Sequence, residues 1–287
     1  MKRGTALAMR VVPWIVPALV VLGWELSARA GWLSSRILPD PLVVGQAAWA
    51  LMRTGEMWAN VKVSALRALG GLAIGGSVGF LLGLATGLFR PIEVALDSTV
   101  QMIRNIPPFA MIPLVILWFG IEEQAKLFLV AFGVFFPIYV NTFHGIRSVD
   151  ANLVEMAKSY GVRGFALYRQ VILPGALPSI LVGVRFALGL MWVMLIVAET
   201  ISAQSGIGYM TMNAREFMQT DVVVVGILLY AALGKLADMF ARGLEKWLLP
   251  WHPAYAGGGV HPRSRRNKAA EWVKTVKRPL GLKGVKA

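Results

Sequence analysis

A chain of 287 residues that is 56% hydrophobic and only 15% charged is poorly suited to a water-soluble surface, where about 25% charged residues is ordinary. A formal net charge of +14 taken alone would suggest nucleic acid, but most of the excess lies in one tail after the last apolar run. The chain has no cysteine, which excludes disulfide scaffolds, thiolate metal sites and cysteine catalysis.

In chain order, Lys2, Arg3 and Arg10 precede an apolar run from Val11 through Trp24. It resembles a signal peptide, yet it lacks a well-placed A-x-A-like cleavage site and more apolar runs follow, so an uncleaved first span near 11–28 is expected. The stretch 29–64 carries Arg29, Arg36, Arg53 and Lys62 among Trp49, Leu51, Met52 and Trp58, a composition that suits a helix resting on the membrane surface. Glu25 and Arg67 fall near span ends and are read as interfacial. A second span, near 67–89, places Gly71, Gly75, Gly79, Gly83 and Gly87 four residues apart. On a helix they form one bare stripe that lets another backbone approach closely, within the subunit or between subunits.

A third span near 103–119 contains Pro107, Pro108 and Pro113, which predict a broken or kinked helix of the kind tolerated where it lines protein or a cavity. Spans near 125–143, 180–198 and 222–241 complete a set of six, each long enough for a hydrocarbon core that takes about 20 helical residues. The runs are continuous rather than alternating, which favours helices over a β-barrel. The fold class expected is an all-α integral membrane protein with six transmembrane helices.

Orientation follows from the bases in the connections. Arg147, Lys158, Arg163 and Arg169 follow the fourth span, whereas Gly120 to Gln124 holds Glu122 and Glu123 without a base. The connection after the fifth span sets Glu199, Glu216 and Asp221 against Arg215. Beyond Phe240, eleven lysines and arginines from Arg242 to Lys286 face only Glu245 and Glu271. Both termini are therefore expected on the cytoplasmic side, the tail touching anionic lipid head groups rather than nucleic acid.

The connection between spans four and five is the most informative. It reads Glu155-Met156-Ala157-Lys158-Ser159-Tyr160-Gly161, nine residues, then Val171-Ile172-Leu173-Pro174. Residues 151–160 predict a short helix capped by Asp150 and ended by Gly161 in the left-handed conformation. A second short helix is expected at about 164–171, with Pro174 and Pro178 interrupting the chain before the fifth span. Such a helix–turn–helix is a docking shape.

Glu155, Ala157, Gly161, Leu173 and Pro174 match the EAA motif of ATP-binding-cassette (ABC) importer permeases, with Met156 and Val171 as mild departures. Further likeness at Arg36 to Pro39, Gln101 to Pro107, Leu114 to Ile121, Phe136 to Asn141 and Ala198 to Asp221 resembles the nitrate, sulfonate and taurine group, its aliphatic sulfonate branch above all. The resemblance covers roughly 12–255.

It implies a type I importer permease fold: an N-terminal segment 1–58 with the first span and a periplasmic amphipathic stretch, a permease domain 59–244, and a basic cytoplasmic tail 245–287. It also implies a homodimer in the bacterial inner membrane, two ATPase subunits docked on the 155–174 loop, and a periplasmic binding protein that selects the solute. ATP and Mg would be bound by the ATPase, with no cofactor or metal in this chain. A phosphate loop is indeed missing, since Gly234-Lys235 has Leu229 where the first glycine should stand. His144, His252 and His261 are scattered and no Ser–His–Asp set appears, so no catalysis is expected.

Ionisable and polar groups inside spans are candidates for a pathway. Arg185, Trp192, Asn141 and Glu199 are those candidates, with Arg185 alternatively snorkelling or pairing within the bundle and Trp192 and Asn141 alternatively structural. Asp238 is expected to balance Lys235. Taurine, nitrate or another small anion remain alternative solutes. Two other classes stay open: a gradient-driven transporter or channel, which the lack of paired mid-membrane acids disfavours, and a membrane scaffold with a lipid- or nucleic-acid-binding tail.

Overall fold

Helices follow one another through the described residues, as a lipid environment demands of any chain that must satisfy its backbone hydrogen bonds internally. The computed structural model describes residues 2–32, 34 and 38–251, except for the side chains at 2–11, 13, 14 and 202. The resemblance at Arg36 and Ile37, His252, His261 and the tail beyond Trp251 lie outside the described residues. The chain divides into two compact units, 1–243 and 244–287.

The first expected span falls on α1 (Lys2–Arg29). Then α2 (Pro41–Thr54) runs into α3 (Glu56–Leu88) across Gly55, whose φ of 80° turns the chain between them. Of the stretch 29–64, where a surface helix is expected, residues 41–54 form α2, with Val44 and Leu51 buried and Trp49 exposed, while Trp58 belongs to α3.

All five stripe glycines are buried and face α6 (Glu123–Arg147). A Cβ at Gly79 would stand 2.6 Å from the Phe135 carbonyl oxygen, and one at Gly83 2.7 Å from that of Tyr139. At Gly75 it would meet the Ala131 backbone itself. Only a residue without Cβ lets the two backbones come this close.

On its other side α6 meets α9 (Leu173–Ser202) by the same device, Gly183 lying against Asn141 and the Pro137 carbonyl, and Gly145 against the Ala176 carbonyl. Val130, Val134, Ile138, Leu188, Met191 and Leu195 fill the resulting three-helix core.

The third expected span is not one helix. Residues 103 and 104 close α4 (Arg90–Arg104), then a 3₁₀ turn, Pro108–Met111, leads into the short α5 (Ile112–Phe119), and the two parts are bent by 86°. Pro107 and Pro108 lack donors and push their predecessors out of the helical region, which forces the break.

Past α7 (Ala151–Ser159), α8 (Gly164–Leu167) passes through a π turn, Tyr168–Ile172, straight into α9. Pro174 and Pro178 therefore do not interrupt the chain as expected. The amide of Leu173 bonds back to Tyr168, and this wider turn accommodates a following proline with no donor of its own. The chain ends its described part in α10 (Ile207–Glu216) and α11 (Thr220–Leu248).

By length and composition four stretches can cross a membrane: α3, α6, Gly164–Ile201 and α11, or five with the bent pair α4/α5. Among the described residues the count is thus four to five, against six expected. The remaining expected span lies on α1, where most of the first-half side chains are outside the described residues.

Candidate functional site

The connection between α6 and α9 is built from local rules. The Asp150 carboxylate accepts from the Asn152 amide at 2.9 Å and caps α7. At the other end the Val162 amide bonds to the Ala157 carbonyl and the Gly161 amide to that of Lys158, both at 3.0 Å. This pair of bonds is a Schellman closure, which needs a left-handed residue at Gly161, and its φ is 83°.

A Cβ at Gly161 would meet nothing within 4 Å, so backbone conformation rather than space selects glycine there. Gly164, at φ 57°, supplies a second left-handed point that the sequence reading missed. Within this connection Ala157 and Leu167 are buried, and Leu173 and Pro174, at the start of α9, are half-buried. Glu155 and Lys158 are exposed, and so are the apolar Leu153, Met156, Tyr160 and Phe165, the last two at 80% and 75%.

The structure separates the four polar pathway candidates. Glu199, 1% exposed, lines no open wall. Its carboxylate accepts from Arg67 and Ser64 at 2.8 Å, the Gly208 amide at 2.9 Å and the Tyr230 hydroxyl at 3.0 Å. Arg67, 4% exposed, is buried as well; its guanidinium also forks onto Glu123 with two bonds of 2.6 Å and donates to Ser205. The Ile207 amide donates to Ser64 and the Gly206 amide to Asn60. One fully bonded cluster thus ties α3, α6, α9, α10 and α11, as a buried charge requires if it is not to destabilise the fold.

Arg185 pairs with Asp238 at 2.9 Å. Asp238 also binds Arg242 at 2.8 Å, so it serves these two arginines rather than Lys235. Trp192 is buried, with its indole N–H unpaired among the described groups, beside a cavity of about 410 Å³ that Tyr230 and Thr211 also line. Asn141 borders a different cavity, of about 470 Å³, shared with Arg104. Sequence reasoning missed the Arg67 cluster and Arg104. A signal for the first was present: Arg67 lies four residues before Gly71, on the row of the glycine stripe.

Residues 75–250 match the family described as binding-protein-dependent transport system inner membrane component. The chain belongs to this family of multi-pass inner-membrane transport proteins. It is 62% identical over 247 residues to the aliphatic sulfonates transport permease protein SsuC of Escherichia coli K12, covering 86% of this chain and 94% of that protein. It is 42% identical over 243 residues to SsuC of Bacillus subtilis 168, covering 85% and 88%. A solved amino acid ABC transporter structure shares the fold at TM-score 0.52 and 19% identity, covering 67% of this chain and 96% of that one.

Proposed function

We propose that this chain is the membrane-spanning, non-catalytic permease subunit of an ABC importer that carries aliphatic sulfonates across the bacterial inner membrane. The observation that carries this reading is the 62% identity that extends over 94% of the Escherichia coli sulfonate permease. The working unit is a homodimer with six spans per subunit and both termini in the cytoplasm. Two ATPase subunits bind ATP and Mg²⁺, and a periplasmic binding protein delivers the solute. That α4 buries no residue within the single subunit supports a second copy beside it.

Coupling runs through the α7 lever. Leu153, Met156, Tyr160 and Phe165 offer the exposed apolar contacts a protein partner can cover. Past Gly164, the 38-residue stretch Gly164–Ile201 is about 57 Å long at helical rise, enough to carry a push at the lever through a hydrocarbon core of about 30 Å. Closure of the ATPases on ATP would press α7 and rock the bundles so that the cavity opens outward, and hydrolysis would reset it. A network that bonds α3, α6 and α9 into one body is what rigid-body rocking needs.

The test is uptake of radiolabelled alkanesulfonates into proteoliposomes that hold the permease, its ATPase and its binding protein. Uptake that requires ATP is the expected result. ATP-independent uptake driven by an ion gradient, or uptake of taurine or nitrate in place of alkanesulfonates, overturns the assignment.

A further inference from the structure

The cavity of about 470 Å³ between α6, α9 and the break after α4 has the size of a small-molecule site. Its lining joins one charged residue, Arg104, to the amide of Asn141 and to the apolar faces of Phe109, Phe136, Phe186 and Met194. The position is set by the fold. Arg104 is the last residue of α4, immediately before the prolines that break the span, and interrupted helices are where transporters place binding groups. Asn141 stands on the flank of α6 that meets α9, away from the glycine stripe of α3.

Arg104 differs in its bonding from the three arginines paired within the bundle. Arg67, Arg147 and Arg185 each pair with a carboxylate. Among the described residues Arg104 makes no ion pair, only a long 3.4 Å hydrogen bond to Gln101. Gln101 in turn bonds Asp97 at 3.3 Å, so the nearest acid on the helix is engaged with an amide rather than with the guanidinium. Asn141 spends one of its two amide hydrogens on the Pro137 carbonyl at 2.8 Å, and the second is available.

We propose that Arg104 is the anion-recognising residue of a solute site in this cavity, receiving the head group of an alkanesulfonate with Asn141 while the alkyl chain lies against Phe136, Phe186 and Met194. The identity of the solute rests on the sulfonate reading above; the residues do not. A sulfonate is ionised at any physiological pH and offers three acceptor oxygens, which an arginine, never deprotonated, can meet with a planar fork of donors. A single, exposed cation holds such a head group weakly. Weak holding suits transport, since a site must release what it binds.

The test uses the complete complex in proteoliposomes, with wild type, Arg104→Gln, Arg104→Lys and Phe136→Ala compared on ethanesulfonate and octanesulfonate. Arg104→Gln should lower uptake of both roughly tenfold, the worth of a charge-assisted hydrogen bond, while ATPase stimulation by the loaded binding protein stays near wild type. Arg104→Lys should restore most of the uptake, and Phe136→Ala should shift the preference between the two chain lengths.

Wild-type uptake of both sulfonates with Arg104→Gln equally active overturns the site and leaves the substrate reading standing. Loss of ATPase stimulation in both Arg104 variants makes the residue structural and also overturns it. A wild-type complex that takes up no alkanesulfonate overturns the substrate reading, and this proposal with it.

Discussion

Removing the guanidinium of Arg67 would strand the Glu199 carboxylate, which is 1% exposed, beside Ser64 and Tyr230 alone among its side-chain partners. Breaking a buried pair from one side costs about 3–5 kcal/mol, so Arg67→Met should lower the thermal midpoint of the detergent-solubilised protein sharply. Glu199→Gln keeps most of the hydrogen-bonding shape and should cost less. The double variant Arg67→Met/Glu199→Met should recover part of the loss, because no buried carboxylate is then left without its cation; Glu123, 57% exposed, can turn to water. A double variant as unstable as the sum of Arg67→Met and Glu199→Met measured singly would remove the coupling between the two residues. Gly161 is the second position where one residue decides. Gly161→Val must hold a β-branched side chain at φ 83°, a conformation that costs an L-residue about 1–2 kcal/mol. The chain should still insert, while ATP-driven uptake falls as the lever loses its turn. Gly161→Asn should be milder, since Asn tolerates this conformation.

Among elements, the α3–α6 contact is the most sensitive to added volume. Gly75→Ala would force its Cβ into the Ala131 backbone, and overpacking of this kind costs about 1–3 kcal/mol. Gly234→Ala, in a membrane-spanning helix where an added Cβ meets nothing within 4 Å, is the matched control and should be neutral or slightly stabilising. Equal midpoints for the two variants in an SDS unfolding titration would refute the packing role of the stripe. The spacing of the glycines showed that this helix has a bare face, but which helix lies on it depends on the whole bundle. The same limit applies around Pro174. From sequence a proline predicts an interruption, and only the π turn before it, closed by Leu173 onto Tyr168, turns the interruption into a continuous lever.

For the whole molecule, the absence of cysteine makes orientation directly measurable, because one introduced thiol is the only one present. Tyr160→Cys on the lever should react with a membrane-impermeant maleimide only from the cytoplasmic side, and Met218→Cys, in the turn between α10 and α11, only from outside. Both residues are over three-quarters exposed, so reagent access within the protein does not limit the result. Labelling of Tyr160→Cys from the periplasm would end the coupling role of the lever. By itself, the sequence determined the apolar helices, the bare stripe and the capped lever with its left-handed glycine, because each depends on hydropathy, spacing or backbone conformation within a few residues. Only the tertiary structure decided that Arg67 meets Glu199 across 132 positions, that Asp238 serves Arg185 rather than Lys235, and that Arg104 and Asn141 border one cavity. Those pairings depend on which distant helices touch, and an ionisable side chain in a span carries no mark of its partner until the bundle brings the two together.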